Sequence, residues 1–174
     1  MTEQIRYAWG ASSLGKYLAA ISSVGLVAFG FVESDNRAMD DLQAIVPEAV
    51  LVQDEAALSS TLVKLTALVD KPGIDPGIPL DPRGNDYQKQ VWSMLREIPA
   101  GTTTSYGALA AKLGTRDARD ITGAIGSNSI AILIPCHRVL KKDGSISGYR
   151  WGVRRKRALL EREQRAEPRR PGEG

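Results

Sequence analysis

Residues 130–139 read Ile130-Ala131-Ile132-Leu133-Ile134-Pro135-Cys136-His137-Arg138-Val139, and they hold the only cysteine and the only histidine of the 174-residue chain, side by side. A thiol reacts as its thiolate, and a neighbouring imidazole is the usual group to take its proton. The five apolar residues leading into the pair predict a buried strand that delivers both side chains on a rigid mount. A free cysteine is also among the most buried residue types, so composition alone leaves a purely structural pair equally open.

Upstream, residues 71–83 carry Pro72, Pro76, Pro79 and Pro82 with Gly73, Gly77 and the following Gly84, a pattern that predicts an extended linker. Before it, the apolar runs 5–9, 17–21 and 25–32, separated by Ser/Gly turns, predict three short strands. A helix over 39–46, a strand over 49–52 and a helix over 55–69 follow, the last with Leu58, Leu62, Leu65 and Val69 on one stripe. The expected organisation is an α/β support domain at 1–70, a linker at 71–83, a mainly α domain at 84–165 and a disordered polar tail at 166–174.

Beyond the linker, Tyr87, Val91, Met94, Leu95 and Ile98 keep a helical period that Pro99-Ala100-Gly101 ends. Thr104 or Ser105 can cap a helix through Leu113, and Thr115 or Asp117 can start another to about Ser127, with Ala118, Ile121 and Ile125 inward. Gly114-Thr115 between them predicts a helix-turn-helix. The outer face of its second helix displays Arg116, Arg119, Asp120, Gly123 and Ser127, with Ala124 and Gly126 nearby. A helical glycine costs about 1 kcal/mol relative to alanine. Two of them imply close approach by another backbone, either a neighbouring helix or a DNA minor groove about 6 Å wide. The last helix, over 153–164, points Val153, Ala158, Leu159 and Leu160 inward with Glu163 on the same stripe. A carboxylate there needs a partner, and the sole histidine is the obvious one.

One cysteine excludes an internal disulfide and leaves too few Cys/His ligands for a zinc site, so no metal is expected and a reducing, cytoplasmic setting is. The N-terminus shows no signal-peptide pattern, and no apolar run approaches the roughly 20 residues of a membrane span. The net charge of +3 is uneven: residues 1–83 carry 6 Lys/Arg against 11 Asp/Glu, and residues 84–174 carry 17 against 9. A half at +8 beside a half at −5 points to a polyanion partner, with a solvated basic tail as the plainer alternative.

Pro135-Cys136-His137-Arg138-Val139 resembles the active-site signature of the O6-alkylguanine-DNA alkyltransferases, and Ser147-Gly148-Tyr149-Arg150-Trp151-Gly152 resembles the form in their Ada-type members. Leu80-Asp81-Pro82-Arg83-Gly84, Gln90-Val91-Trp92 and Thr104-Ser105-Tyr106 extend the likeness, which runs from about Ile5 to Glu163. The resemblance implies an N-terminal α/β domain with a small ribonuclease H-like sheet, and a C-terminal domain with a winged-helix-like helix-turn-helix. It implies a monomer that binds double-stranded DNA through the minor groove and needs no cofactor. Its reaction flips O6-methylguanine out of the duplex, with O4-methylthymine as an open second substrate, and moves the alkyl group irreversibly to Cys136 in one turnover.

By the same resemblance, His137 activates Cys136 through a water, Glu163 orients His137, and Asn128 braces the hinge before the active segment. Arg119 fills the gap left by the extruded base, while Arg116, Gly123 and Ser127 share the DNA-facing surface. Tyr106 helps rotate the nucleotide and can donate to guanine O6. Tyr149, Arg150, Trp151 and the Val139 carbonyl line the base pocket. Asp120 departs from the small apolar residue usual after the finger arginine.

Overall fold

The computed structural model describes residues 2–114, 118–146 and 148–166, without the side chains of 118–120 and 166. Arg116 and the tail from 167 onward lie outside the described residues.

A tight turn joins strands β1 (Gln4–Ser12) and β2 (Gly15–Ile21) into an antiparallel hairpin, and β3 (Leu26–Phe31) continues antiparallel beside β2. Helix α1 (Asp35–Ile45), capped by the Ser34 side chain, carries the chain across to β4 (Val50–Gln53), parallel to β1, so the sheet order is β3-β2-β1-β4. One face buries Ile5, Leu18, Ala20 and Val27 with Leu42 of α1. The other buries Ala8, Tyr17, Ala19 and Phe29 against Leu58, Leu65, Leu68 and Val69 of α2 (Glu55–Asp70). Both faces are covered, so the middle of β2 reads as a continuous apolar run.

The proline-rich stretch lies stitched to the sheet. Leu26 N–H donates to Pro79 O at 2.9 Å and Asp81 N–H to Leu26 O at 2.8 Å. Farther along the same edge, Phe29 N–H donates to Ser129 O at 2.9 Å and Ala131 N–H to Phe29 O at 2.8 Å. The outer edge of β3 thus holds the 79–81 segment and the segment leading to Cys136 alike.

In the C-terminal half, an Asn85/Gln88 capping box opens α3 (Asp86–Arg96). After β5 (Thr104–Ser105), the Ser105 side chain caps α4 (Tyr106–Leu113), which Gly114 ends in the left-handed conformation at φ +75°. Helix α5 (Ala118–Gly126) buries Ile121 and Ile125, and its Ala124 carbonyl accepts from Trp92 Nε1 at 2.8 Å. A 3₁₀ turn (Cys136–Arg138) runs into β6 (Val139–Leu140), parallel to β5, and α6 (Val153–Ala166) closes the described chain. Trp92, Leu109, Ile121 and Leu159 share one apolar core with Phe29 and Leu65.

The strand expected over 130–134 is not formed. Only Ile130 makes a bridge, to Phe29; residues 131–133 turn, and Ile132 takes φ +67°. The Asn128 side chain accepts from Ile130 N–H at 3.0 Å and donates to Ile130 O at 3.0 Å and Ile134 O at 2.9 Å. It does the work of a partner strand, and a run buried on every side has no periodicity to separate strand from turn. Val153, expected inward, is 37% exposed. Among the described residues, no helix is long and apolar enough to cross a membrane.

Candidate active site

Cys136 opens the 3₁₀ turn and is 5% exposed. Its sulfur accepts from Asn128 Nδ2 at 3.4 Å. Burial pushes the thiol pKa up to about 11, against the Asn128 hydrogen bond and the positive charges of Lys156 and Arg150. The resting sulfur is therefore protonated at neutral pH, and to act as a nucleophile it would first have to lose that proton.

His137 is fully buried, with Nε2 2.7 Å from Glu163 Oε1 and Nδ1 lacking a partner among the described residues. Burial holds its pKa below 6.5, although Glu163 opposes this, so the imidazole is neutral. Glu163 accepts, which assigns the ring proton to Nε2 and leaves Nδ1 as an open base. Burial alone would raise the Glu163 pKa. Hydrogen bonds from His137 and Arg138 outweigh it and hold the carboxyl below the ordinary value. Arg138 donates through Nε to both carboxylate oxygens at 3.1 and 2.9 Å, through Nη2 to Oε2, and through Nη1 to Ile98 O at 2.6 Å. The guanidinium fixes the carboxylate, and the carboxylate fixes the imidazole.

Helix α6 adds a group that sequence reasoning missed. Lys156 has no exposed surface, and its Nζ donates to Val139 O at 2.7 Å. It sits inside the basic run 154–157, which reads as solvated. Yet it precedes Leu159, Leu160 and Glu163 by three, four and seven residues, on their stripe, and that spacing was the available signal. The Val139 carbonyl assigned to guanine already accepts this ammonium and keeps one lone pair for another donor. Arg138 was likewise read only as part of the signature.

The remaining candidates divide between the buried interior and the outer surface. Asn128, 1% exposed, lies between the α5 terminus and Cys136, and Arg150 Nη1 donates to its carbonyl at 2.8 Å. The Tyr149 hydroxyl is buried without a partner among the described residues, and burial pushes its pKa well above 10. Trp151 lies edge-on to it at 5.3 Å. Tyr106, at the start of α4, is half-buried against the main core. On α5, Gly123 is exposed, and nothing described lies within 4 Å of where a Cβ would sit on Gly123 or Gly126. Ser127, expected on that outer face, instead donates to Ala124 O at 2.8 Å and accepts from Gln88 Nε2 at 3.1 Å. Ala124 is buried. Arg119 lies on α5 by its backbone, with its side chain outside the description.

Comparison with known proteins bears on the whole chain. The family model for the DNA-binding domain of 6-O-methylguanine DNA methyltransferase matches residues 86–165. Over 166 residues the chain is 39% identical to the bifunctional transcriptional activator/DNA repair enzyme Ada of Escherichia coli K12, covering 95% of this chain and 47% of that one. The chain thus spans about half the length of the Ada relatives it matches. It is 36% identical over 141 residues to the inducible methylated-DNA–protein-cysteine methyltransferase of Bacillus subtilis, covering 78% and 79% of the two chains. The Mycobacterium tuberculosis OGT, solved in complex with DNA, shares the mixed sheet and helices with a TM-score of 0.75, 33% identity and 95% of each chain covered.

Proposed function

Since the chain belongs to the methylated-DNA–protein-cysteine methyltransferase family, we propose that it repairs O6-alkylguanine in duplex DNA by direct transfer of the alkyl group to Cys136. Carrying this reading is the neutral His137, its Nδ1 open and its Nε2 tied to Glu163, next to the chain's single cysteine. The Cys136 proton passes through a water to Nδ1, and the Glu163 carboxylate stabilises the imidazolium that forms. The sulfur attacks the alkyl carbon, the carbon–O6 bond breaks with its electron pair on oxygen, a proton from the Tyr106 hydroxyl neutralises the guanine, and the proton held by His137 returns through water to the tyrosinate. Lys156 and Arg150 supply positive charge to the developing thiolate. A thioether has no route back, so each molecule reacts once.

In this reading α5 lies in the minor groove, with Arg119 replacing the flipped base, Arg116 and Gly123 on the groove-facing surface, and Ser127 seating α5 on α3. Open space around Gly123 and Gly126 supports it, because the small residues are not explained by a neighbouring helix within the described chain. Tyr149, Arg150, Trp151 and the free lone pair of Val139 O form the base pocket, and Asn128 braces the segment beneath it. The order β3-β2-β1-β4 with a parallel fourth strand supports a ribonuclease H-like N-terminal unit over 1–70. The α4–Gly114–α5 unit supports a winged-helix-like domain over 84–165. A cytoplasmic monomer completes the reading.

Intact-mass spectrometry before and after incubation with O6-methylguanine duplex tests it. The expected result is a gain of one methyl mass on the Cys136 peptide, stopping at one per protein. Cys136→Ala is expected to bind the duplex and gain nothing. Methyl on another residue, or sustained turnover of a model ester as a Cys–His hydrolase would give, would overturn the proposal.

A further inference from the structure

The chemistry above uses nothing from the N-terminal sheet, yet the sheet meets the turn that carries Tyr149, Arg150 and Trp151 at Gly30. Gly30, in β3, faces the indole of Trp151: a Cβ on Gly30 would lie 2.4 Å from Nε1, 2.9 Å from Cε2 and 3.1 Å from Cζ2. Glycine weakens a strand interior and marks close approach by another group, here an aromatic ring that is 9% exposed. The indole packs edge-on against Tyr149 at 5.3 Å, and the Arg150 guanidinium lies over its ring at 5.3 Å.

These three residues do not move independently. Gly152 N–H donates to Tyr149 O at 3.0 Å, closing residues 149–152 into one turn that Gly152 completes at φ +97°. The Gly152 carbonyl then accepts from the N–H groups of Arg155 and Lys156, both at 3.1 Å, which fuses the turn to the start of α6. On its other side, Arg150 holds the carbonyl of Asn128, whose amide donates to the Cys136 sulfur. Where the indole sits therefore sets where Tyr149 stands.

We propose that Gly30 is a positioning residue: its missing side chain seats Trp151, and that seat fixes the wall of the alkylguanine pocket formed by Tyr149. The proposal rests on Tyr149 lining that pocket, as inferred above. A methyl group on Gly30 has to displace the indole, and the rigid turn carries Tyr149 with it. Gly30 touches neither the sulfur, the imidazole nor the carboxylate, and Tyr149 stands nearer the displaced indole than they do, so the defect should fall on substrate capture more than on the limiting rate.

The test compares single-turnover transfer from free O6-benzylguanine, which needs no base flipping, in wild type, Gly30→Ala, Trp151→Leu and the double variant. The end-point alkylation of Cys136 normalises each to its folded fraction. Gly30→Ala is expected to raise the half-saturating concentration about tenfold, with the limiting rate and the affinity for undamaged duplex little changed. With Leu at 151 the contact is gone, so the double variant should match Trp151→Leu alone. The inference is overturned if Gly30→Ala matches wild type, or if the two defects multiply in the double variant. Were wild type to take no alkyl group from either methylated duplex or free base, the functional reading itself would fail.

Discussion

At the residue scale, the site is one buried ion pair, Arg138–Glu163, whose carboxylate also holds a neutral imidazole with one open nitrogen. Arg138 gives Glu163 three hydrogen bonds, so replacing the carboxylate strands a buried guanidinium. Removing one partner of such a pair costs about 3–5 kcal/mol, and Glu163→Gln should lower urea-unfolding stability by about 3 kcal/mol. A loss below about 1 kcal/mol would place the pair in the range of exposed ion pairs. His137 makes a second prediction. Its folded pKa lies below 6.5, so from about 6.5 down to that depressed value the unfolded chain binds a proton that the folded chain does not. Stability should fall as pH drops through this window, and His137→Gln should flatten the slope. Equal slopes in variant and wild type, measured by urea midpoints, would reject the assignment. Glu163 was legible because a carboxylate three residues past an inward leucine has to find a partner. Lys156 was not, since its neighbours Arg154, Arg155 and Arg157 made the whole run look solvated.

At the element scale, caps made α4 legible: Ser105 before it and Gly114 after it are local signals, and the structure uses both. The active segment was misread because one side chain, Asn128, replaces a strand, and no periodicity reports that. The outer face of α5 yields a prediction that separates folding from binding. Gly123 has open space at its Cβ position, so Gly123→Ala should stabilise the protein by up to about 1 kcal/mol through helix propensity. If that face enters a minor groove, the same change should weaken duplex binding. Binding that holds or strengthens, measured by fluorescence anisotropy, would remove the groove assignment.

At the scale of the whole molecule, β3 ties the two halves together through Pro79, Asp81, Ser129 and Ala131. The composition of 71–83 indicated an extended linker and gave no sign of where it docks, because pairing between residues so far apart in sequence leaves no local trace. A core common to both halves and a shared strand edge should give one cooperative thermal transition, with the same midpoint by near-UV and far-UV circular dichroism. Two separated midpoints would show that the halves melt independently. The −5 and +8 halves are joined in this one body, so duplex affinity should also fall steeply with added salt.

The high pKa of Cys136 has a consequence for the protein while it waits. The thiolate is the form that attacks peroxide and disulfides, and a sulfur that is 5% exposed with a pKa of about 11 presents almost none. In the transfer proposed above Cys136 reacts once, and its burial would keep it from oxidative loss until a substrate reaches it.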